Sequence, residues 1–192
     1  CPWPIIFEAG LCQSEELAPF SPVGELLGRA SSGPRELSAT HKQLQSVGVD
    51  IGRFAFLHIR LGDYKSFDVY GTTPVPPVSW YSTAISKLRA VDPNIPIVVF
   101  SDELDRARDI FHAYDDMHFF PFDDLASFYA MARARHGILS ASTFSWWAAR
   151  LAKANHVGGH FMAPQHWMGL NARRWFPNKA IRASFLEYID IV

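Results

Sequence analysis

Residues 53–64 read RFAFLHIRLGDY, an apolar run that passes directly into polar side chains around Gly62. In an open α/β sheet the strands are buried between helices, and ligands bind in the crevice beyond their carboxyl ends. His58 and Arg60 lie two positions apart and point to the same side of an extended chain. The run therefore predicts a buried strand whose end presents the planar charged fork of Arg60 to a phosphate or diphosphate. A local ion pair between Arg60 and Asp63 is the alternative, and the residues alone leave both open.

Composition and absent motifs exclude several classes of protein. The chain has 192 residues, 48% of them hydrophobic, which suits one globular domain with a buried core. Its 18 basic and 19 acidic residues are mixed along the chain and give a net charge of -1, so no nucleic-acid or membrane-binding surface is indicated. The sequence has no glycine-rich phosphate loop of the NTPase or dehydrogenase type and no GxSxG nucleophile elbow.

Metal and disulfide chemistry also lack support in the sequence. Cys1 and Cys12 lie far from any Cys or His partner at zinc-ligand spacing. The eight histidines are scattered, and none belongs to an HExxH motif. We therefore expect neither a disulfide framework nor a metal site.

The start of the chain bears on its location. The sequence begins at Cys1 rather than Met, and we expect its natural N-terminus to be absent. No run approaches the roughly 18 apolar residues that a membrane span needs, so the chain as given reads as soluble. We expect a cytoplasmic or membrane-peripheral location if the protein is bacterial, and the Golgi lumen if the absent N-terminus carries a membrane anchor.

A strand-to-helix rhythm repeats four times after residue 50. Short apolar or β-branched runs predict the strands, and amphipathic stretches with capping or stop residues predict the helices. The predicted strands are 54–60, 96–100, 117–120 and 138–140, and the helices that follow them are 80–90, 104–114, 122–134 and 146–152. The repetition favours an α/β fold with a Rossmann-like doubly wound parallel sheet.

Three single residues mark predicted boundaries. Ser79 is expected to cap the first of these helices, and Gly137 is expected to end the third. Asp102 follows the second strand, where it either caps the next helix or supplies a second carboxylate to the site; capping is the favoured interpretation. Three prolines within residues 70–77 exclude helix and central strand, and the resulting loop could shape an acceptor cleft.

Hydroxyl side chains gather before the last predicted helix, in the segment Ser142-Thr143-Phe144-Ser145. The free N–H groups and positive dipole end of a helix N-terminus bind anions, so this segment predicts a phosphate site; simple capping is the alternative. Arg60, at the end of another strand of the same sheet, would meet the same phosphate from a second side. Trp146 and Trp147 follow directly and would stack on a base or sugar or belong to the core, which is favoured for at least one of them.

Five segments, in this order and spacing, resemble the motif series of the α-1,2-fucosyltransferases, glycosyltransferase family 11: residues 58–64, 99–102, 124–125, 140–151 and 163–167. The resemblance implies the C-terminal half of a GT-B type glycosyltransferase. Such an enzyme binds GDP-fucose without a metal or other cofactor. It moves fucose to the 2-hydroxyl of a galactose-containing glycan with inversion at the anomeric carbon.

The resemblance also implies a division of the chain. Residues 1–50 would be a covering segment or a linker from a missing first half, because the family's glycine-rich N-terminal segment is absent, and residues 51–192 would be the GDP-fucose-binding Rossmann-like domain. The family commonly has two adjacent arginines where this chain has Arg60 and Leu61. These departures leave two alternatives open: a non-catalytic or truncated nucleotide-sugar or glycan-binding module, and a fucosyltransferase of different linkage.

Roles for single residues follow from the resemblance. Arg60 would hold the diphosphate and neutralise charge as GDP leaves, and donors aimed at developing charge are the largest catalytic term available. His58 and Asp124 would lie near the guanine and ribose, while Thr143 and Ser145 would bind phosphate. The full set expected to bind the donor is His58, Arg60, Asp102, Asp124, Ser142, Thr143, Phe144, Ser145 and Trp146.

The general base that takes the acceptor proton has three candidates, Asp63, Asp68 and Asp102. A carboxylate can act only within about 3 Å of the hydroxyl or through one water, which a sequence does not specify. We favour Asp68 over Asp63, because Asp63 could simply orient Arg60. The expected catalytic set is therefore Arg60, Asp63 and Asp68, and a mechanism without a strong base also stays open.

Overall fold

The computed structural model describes residues 34–119, 121, 123–178 and 181–191. Within them lie six strands: β1 Ala55–Ile59, β2 Ile97–Ser101, β3 Met117–Phe119, β4 His136–Ile138, β5 Phe161–Pro164 and β6 Glu187–Ile189. All six pair in parallel, in the order β3-β2-β1-β4-β5-β6. The chain builds the sheet outward from β1 to β3 and then crosses back to β4 on the other side of β1. The crevice at this crossover, beyond the carboxyl ends of β1 and β4, is where such sheets bind ligands.

Helices cover both faces of the sheet. In the described part of the chain they are α1 Pro34–Gln45, α2 Val78–Val91, α3 Leu104–Ile110, α4 Asp124–Met131 and α5 Thr143–Asn155, and Asp63–Lys65 forms a short 3₁₀ helix. Helices α2 and α3 pack on one face, against side chains such as Leu57 and Val99. Helices α1, α4 and α5 pack on the other face, against Phe56 and Val98. This arrangement confirms the predicted α/β fold with a Rossmann-like doubly wound parallel sheet.

The two central strands are buried because they are apolar along almost their whole length. Every residue of β1 is buried, and β2 is buried up to Ser101. A strand covered by helices on both faces needs no alternation of polar and apolar residues. The register pairs Ala55 with Ile97 and Ile59 with Ser101, so the two strands end side by side. Arg60 and Asp102 therefore leave the sheet at the same point.

Several predicted boundaries are wrong. Ser79 lies inside α2, because the extended Pro77 is the N-cap and the helix begins at Val78. Helix α3 is about one turn shorter than the sequence predicts. Gly137 lies within β4 rather than at the end of a helix, and that strand begins two residues earlier than predicted. A Cβ atom at Gly137 would lie 2.9 Å from Phe161 Cδ1 and closer still to the ring of Phe56, so the position serves close packing across the sheet.

The region before residue 50 contributes to the same core where it is described. Leu44 on α1 and Val49 are fully buried and pack with residues of α4 and α5. The division into residues 1–50 and 51–192 stays a prediction, and Cys1 and Cys12 lie outside the described residues.

Candidate functional site

Polar side chains gather where the carboxyl ends of β1 and β2 meet the amino ends of α4 and α5. They surround a pocket of about 110 Å³. Its lining residues are His58, Arg60, Phe100, Ser101, Asp102, Asp124, Ser127 and Phe144. Five of these eight belong to the predicted donor-binding set. Phe100, Ser101 and Ser127 are absent from that set, although Phe100 and Ser101 belong to the motif segment 99–102 and Ser127 follows Asp124 by about one helical turn.

Asp102 holds the turn that follows β1. Its two carboxylate oxygens accept hydrogen bonds from the N–H groups of Leu61 and Gly62, each at 2.9 Å, and Oδ2 lies 3.3 Å from Arg60 Nε. The favoured prediction, that Asp102 caps α3, is wrong, because Glu103 occupies the N-cap and no side chain caps the helix. A Cβ atom on residue 62 would lie 2.6 Å from Asp102 Oδ2, so a larger residue there would displace the carboxylate from its two hydrogen bonds.

Arg60 combines the two interpretations that the sequence left open. Its Nε lies 2.9 Å from Asp63 Oδ1, so the local ion pair is present. The side chain is nevertheless 39% exposed and lines the pocket. The hydrogen bond from Arg60 holds the pKa of Asp63 below its usual range. Because Asp63 and Asp102 both approach Nε, they hold the guanidinium in place from the side of that atom.

His58 is buried at the back of the pocket. Its Nδ1 lies 2.6 Å from the hydroxyl oxygen of Ser140, and the N–H of Ser140 donates to the His58 carbonyl at 3.0 Å. Burial lowers the pKa of His58 to about 4, with Asp102 opposing the shift and Arg60 adding to it. The imidazole is therefore neutral at physiological pH. Ser140 is a functional neighbour that sequence reasoning missed, because only the placement of β1 beside β4 brings it to His58.

The start of α5 offers backbone donors. Ser142 is the N-cap, its side chain makes no capping hydrogen bond, and the N–H groups of the first turn, beginning at Thr143, have no partner within the helix. The Ser145 hydroxyl donates to the carbonyls of Ser140 and Ser142 at 3.1 and 3.0 Å. Backbone N–H groups, rather than the buried Ser145 hydroxyl, are thus the groups at this helix end that can meet an anion.

The aromatic residues that follow are divided between pocket and core. The Phe144 ring lines the pocket, 5.9 Å from the imidazole of His58 between centroids. Trp146 is buried and packs edge-on against Trp147 and Phe185, at 4.9 and 5.5 Å between centroids. The predicted donor contact of Trp146 is not tested, but the described geometry keeps its ring in the core.

Comparison with known proteins assigns the family. The sequence profile described as Glycosyl transferase family 11 matches residues 7–168, most of the chain. The chain belongs to glycosyltransferase family 11. An alpha-1,2-colitosyltransferase of Escherichia coli is 29% identical over 160 residues, which cover 77% of this chain and 51% of that protein. The family 11 chain thus spans about half the length of the curated relative that it matches.

Solved structures with related folds are more distant from this family 11 chain. POFUT1 in complex with GDP-fucose has a TM-score of 0.48 at 18% identity, and the match covers 67% of this chain and 46% of that one. Fucosyltransferase NodZ from Bradyrhizobium has a TM-score of 0.45 at 16% identity, with coverages of 62% and 42%.

The remaining predicted acids lie around the pocket of the family 11 chain rather than at its back. Asp124 is exposed at the first position of α4 and lines the pocket. Asp68 is exposed on the loop after the 3₁₀ helix, where its Oδ1 accepts a hydrogen bond from the N–H of Gly71 at 3.1 Å. Asp68 does not line the pocket, so its role as a base stays a prediction.

A larger cleft of about 840 Å³ lies on the other side of the β1 end, against the proline-rich loop. Ile59, Leu61 and Tyr81 contribute apolar walls. Asn171 fixes the loop, because its Nδ2 donates to the carbonyls of Thr73 and Val75 at 2.6 and 2.9 Å. The prediction that this loop shapes an acceptor cleft stays a prediction.

The described residues contain neither a group of metal-binding side chains nor a helix that could span a membrane. In residues 34–119, 121, 123–178 and 181–191, no group of three or more His, Cys, Asp or Glu side chains is placed to hold a metal ion. Nor does this part of the family 11 chain contain a helix of the length and hydropathy that a membrane span requires.

The buried histidine of the pocket makes stability depend on pH. The pKa of His58 is 6.5 when unfolded and about 4 when folded, so the unfolded state binds more protons between these values. His58 therefore does not reduce the free energy of unfolding above pH 7, and this free energy falls as the pH drops through 6.5 towards 4. Between pH 7.5 and 5 we expect His58 to cost about 2 kcal/mol of unfolding free energy.

Urea unfolding at the two pH values would measure this loss. In the variant His58→Gln, the part of the pH dependence that comes from His58 should disappear. His136 on β4 is a second source, since burial lowers its pKa to about 4 as well. Equal pH dependence in the variant and the unchanged chain would contradict the assignment to His58.

Proposed function

We propose that this family 11 chain is the donor-binding part of a fucosyltransferase that moves fucose from GDP-fucose to the 2-hydroxyl of a galactoside, with inversion and without a metal. One observation carries the proposal: Arg60 emerges at the end of β1 into a pocket that also contains the start of α5. Family membership supplies the reaction class, glycosyl transfer. The donor, the acceptor and the linkage are parts of the proposal.

A diphosphate suits the two groups that face each other across the pocket. Asp63 and Asp102 hold the guanidinium of Arg60 through its Nε. This contact leaves the two terminal nitrogens to pair with two phosphate oxygens. The first-turn N–H groups of α5 add neutral donors and the positive end of a helix dipole. Charge that grows on GDP as the glycosidic bond breaks would therefore meet donors already in position.

The nucleoside end of the pocket suits guanine. The exposed carboxylate of Asp124 can accept two adjacent N–H groups, which guanine presents on one edge and uracil does not. Phe144 and Phe100 provide aromatic surface on which a base can stack. The neutral imidazole of His58, fixed by Ser140, can then offer its free Nε2 to the base or ribose.

In the proposed step the acceptor 2-hydroxyl oxygen attacks the anomeric carbon of fucose from the face opposite GDP. The bond between that carbon and the phosphate oxygen breaks, GDP leaves with its electron pair, and the hydroxyl proton passes to a carboxylate. Asp63 is a poor base because Arg60 lowers its pKa. Asp68 remains the favoured base, since its side chain is exposed and not paired with Arg60.

Calorimetric titration of the chain with GDP, GDP-fucose and UDP tests the donor. We expect GDP and GDP-fucose to bind at least about tenfold more tightly than UDP, with affinities unchanged by EDTA, because the edge of guanine has a carboxylate partner. Equal binding of UDP, or no binding of either nucleotide, would refute the donor assignment. GDP binding without transfer by the full-length protein would instead favour the non-catalytic module.

A second candidate is a transferase for a different sugar. The E. coli relative is named for colitose transfer, at 29% identity. Assays with donors carrying fucose and colitose would separate the two sugars, and analysis of the product linkage would separate the 2-hydroxyl from other acceptor positions.

A further inference from the structure

Two large aromatic side chains are exposed on the loop that follows the 3₁₀ helix. Phe67 is 43% exposed and Tyr70 is 44% exposed. Phe176, on the loop after β5, contacts both rings edge-on, with centroids 6.5 Å from Phe67 and 5.8 Å from Tyr70. We call these three residues the aromatic platform. Adjacent exposed apolar groups rimmed by polar residues are typical of binding surfaces.

The platform is held in place by specific contacts. Tyr70 has a φ of +56°, a left-handed conformation that a bulky residue adopts only when its surroundings enforce it. Its hydroxyl donates to the carbonyl of Trp175 at 3.2 Å, and the guanidinium of Arg174 lies 4.4 Å from its ring centroid. The chain thus keeps a costly backbone conformation and presents the Tyr70 ring in one orientation.

Tyr64 links the platform to the region of the Arg60 pocket. The loops after β1 and β5 both leave the carboxyl edge of the sheet, which is also the edge that carries the pocket. Tyr64 connects the two regions: its ring lies 6.4 Å from that of Phe67, and its buried hydroxyl donates to the Ala141 carbonyl at 2.6 Å, just before the start of α5. A molecule on the platform would therefore lie beside a donor bound in the pocket.

The polar side chains next to the aromatic platform are of the types that bind a sugar ring. Asp68 lies between Phe67 and Tyr70 in the chain and can accept hydrogen bonds, while the guanidinium of Arg174 can donate them. A pyranose ring carries polarised C–H groups on one face and hydroxyl groups around its edge. The negative face of an aromatic ring attracts such C–H groups, and Asp68 and Arg174 are of the types that bind hydroxyls.

From this juxtaposition we propose that the aromatic platform is the acceptor subsite, where the galactose ring of the acceptor stacks on Phe67 beside Tyr70, whose own ring is covered on one face by Arg174. The inference rests on the proposed function for its reaction, and it adds the residues that bind the acceptor. Galactose fits because its axial 4-hydroxyl leaves the hydrogens on C3, C4 and C5 together on one face. Stacking on that face leaves the edge hydroxyls, including the 2-hydroxyl, accessible.

Saturation-transfer NMR with methyl β-galactopyranoside, in the presence of saturating GDP, tests the subsite on the 192-residue chain. We expect the strongest signals at the C3, C4 and C5 hydrogens. Phe67→Ala should weaken galactoside binding about tenfold and leave GDP affinity within about twofold, because one aromatic face is lost. Phe67→Tyr should retain binding, whereas Phe67→Leu should not, since leucine restores apolar area without an aromatic face.

Val157→Ala is the matched control. Val157 is 85% exposed and follows α5, at the opposite edge of the sheet, so its loss should change neither ligand. Three results would overturn the subsite in favour of a protein contact surface. They are normal galactoside affinity in Phe67→Ala, thermal destabilisation as the sole effect of that variant, and absence of galactoside binding in the unchanged chain. Galactoside binding that depends on Phe67 without any GDP binding would instead refute the proposed donor and leave the subsite standing.

Discussion

Replacing Arg60 with alanine should abolish measurable GDP binding, with a loss of affinity of about a hundredfold or more. The guanidinium is the charged donor that β1 delivers to the pocket, and Asp63 and Asp102 hold it at Nε. A fork that makes two charge-assisted hydrogen bonds to a diphosphate has no substitute at that position, since the next residue is Leu61. Isothermal titration of both proteins with GDP at pH 7.5 measures the difference.

Two further variants test whether the loss comes from the planar fork of Arg60 or from any surface arginine. Arg60→Lys retains a positive charge without the planar fork, so an intermediate affinity is expected. Arg108→Ala is the matched control, because Arg108 on α3 forms an exposed ion pair with Asp105, three residues away, at 2.7 Å. It should bind GDP normally. If Arg60→Ala also binds GDP with unchanged affinity, Arg60 does not belong to the donor site.

Gly137→Ala should give the largest loss of stability, about 3 kcal/mol or failure to fold. The added Cβ would overlap the ring of Phe56 on β1 and lie 2.9 Å from Phe161 on β5, and both rings are fully buried. Because β4 is hydrogen-bonded between these two strands, neither ring can retreat without moving the sheet. Urea unfolding followed by circular dichroism measures the change in free energy.

Gly158→Ala is the corresponding control. A Cβ atom there meets nothing within 4 Å, so the unfolding free energy should stay within about 0.5 kcal/mol. If Gly137→Ala does not fold, Gly137→Ala combined with Phe56→Leu should recover soluble protein by making room on β1. An unchanged urea midpoint for Gly137→Ala would show that the packing across β4 differs from the one described.

The sequence was sufficient for the fold because its strongest signals are local. Unbroken apolar runs such as 96–100 predict buried parallel strands, and their repetition with helices predicts a doubly wound sheet. The two-residue period of a strand predicts that His58 and Arg60 point to the same side of the extended chain. Both predictions need only neighbours in the chain.

What the sequence could not specify depends on which strands lie side by side. Asp102 follows a strand and precedes a helix, which is also the position of an ordinary cap. Its actual partners, the N–H groups of Leu61 and Gly62, come from β1 through the pairing of that strand with β2. Ser140 reaches His58 and Gly137 meets Phe56 only because β4 crosses back beside β1.

The crowding of carboxylates around Arg60 has a kinetic consequence. Asp63 and Asp102 contact one guanidinium and Asp124 lines the same pocket, so these described groups sum to a negative formal charge. Such a pocket entrance would give the proposed nucleotide diphosphate no long-range attraction, so we expect it to bind without electrostatic acceleration of its association. Added salt, which screens repulsion as well as attraction, would not retard that encounter. Under the proposed function, affinity for the nucleotide would therefore come from contacts made within the pocket and not from electrostatic steering.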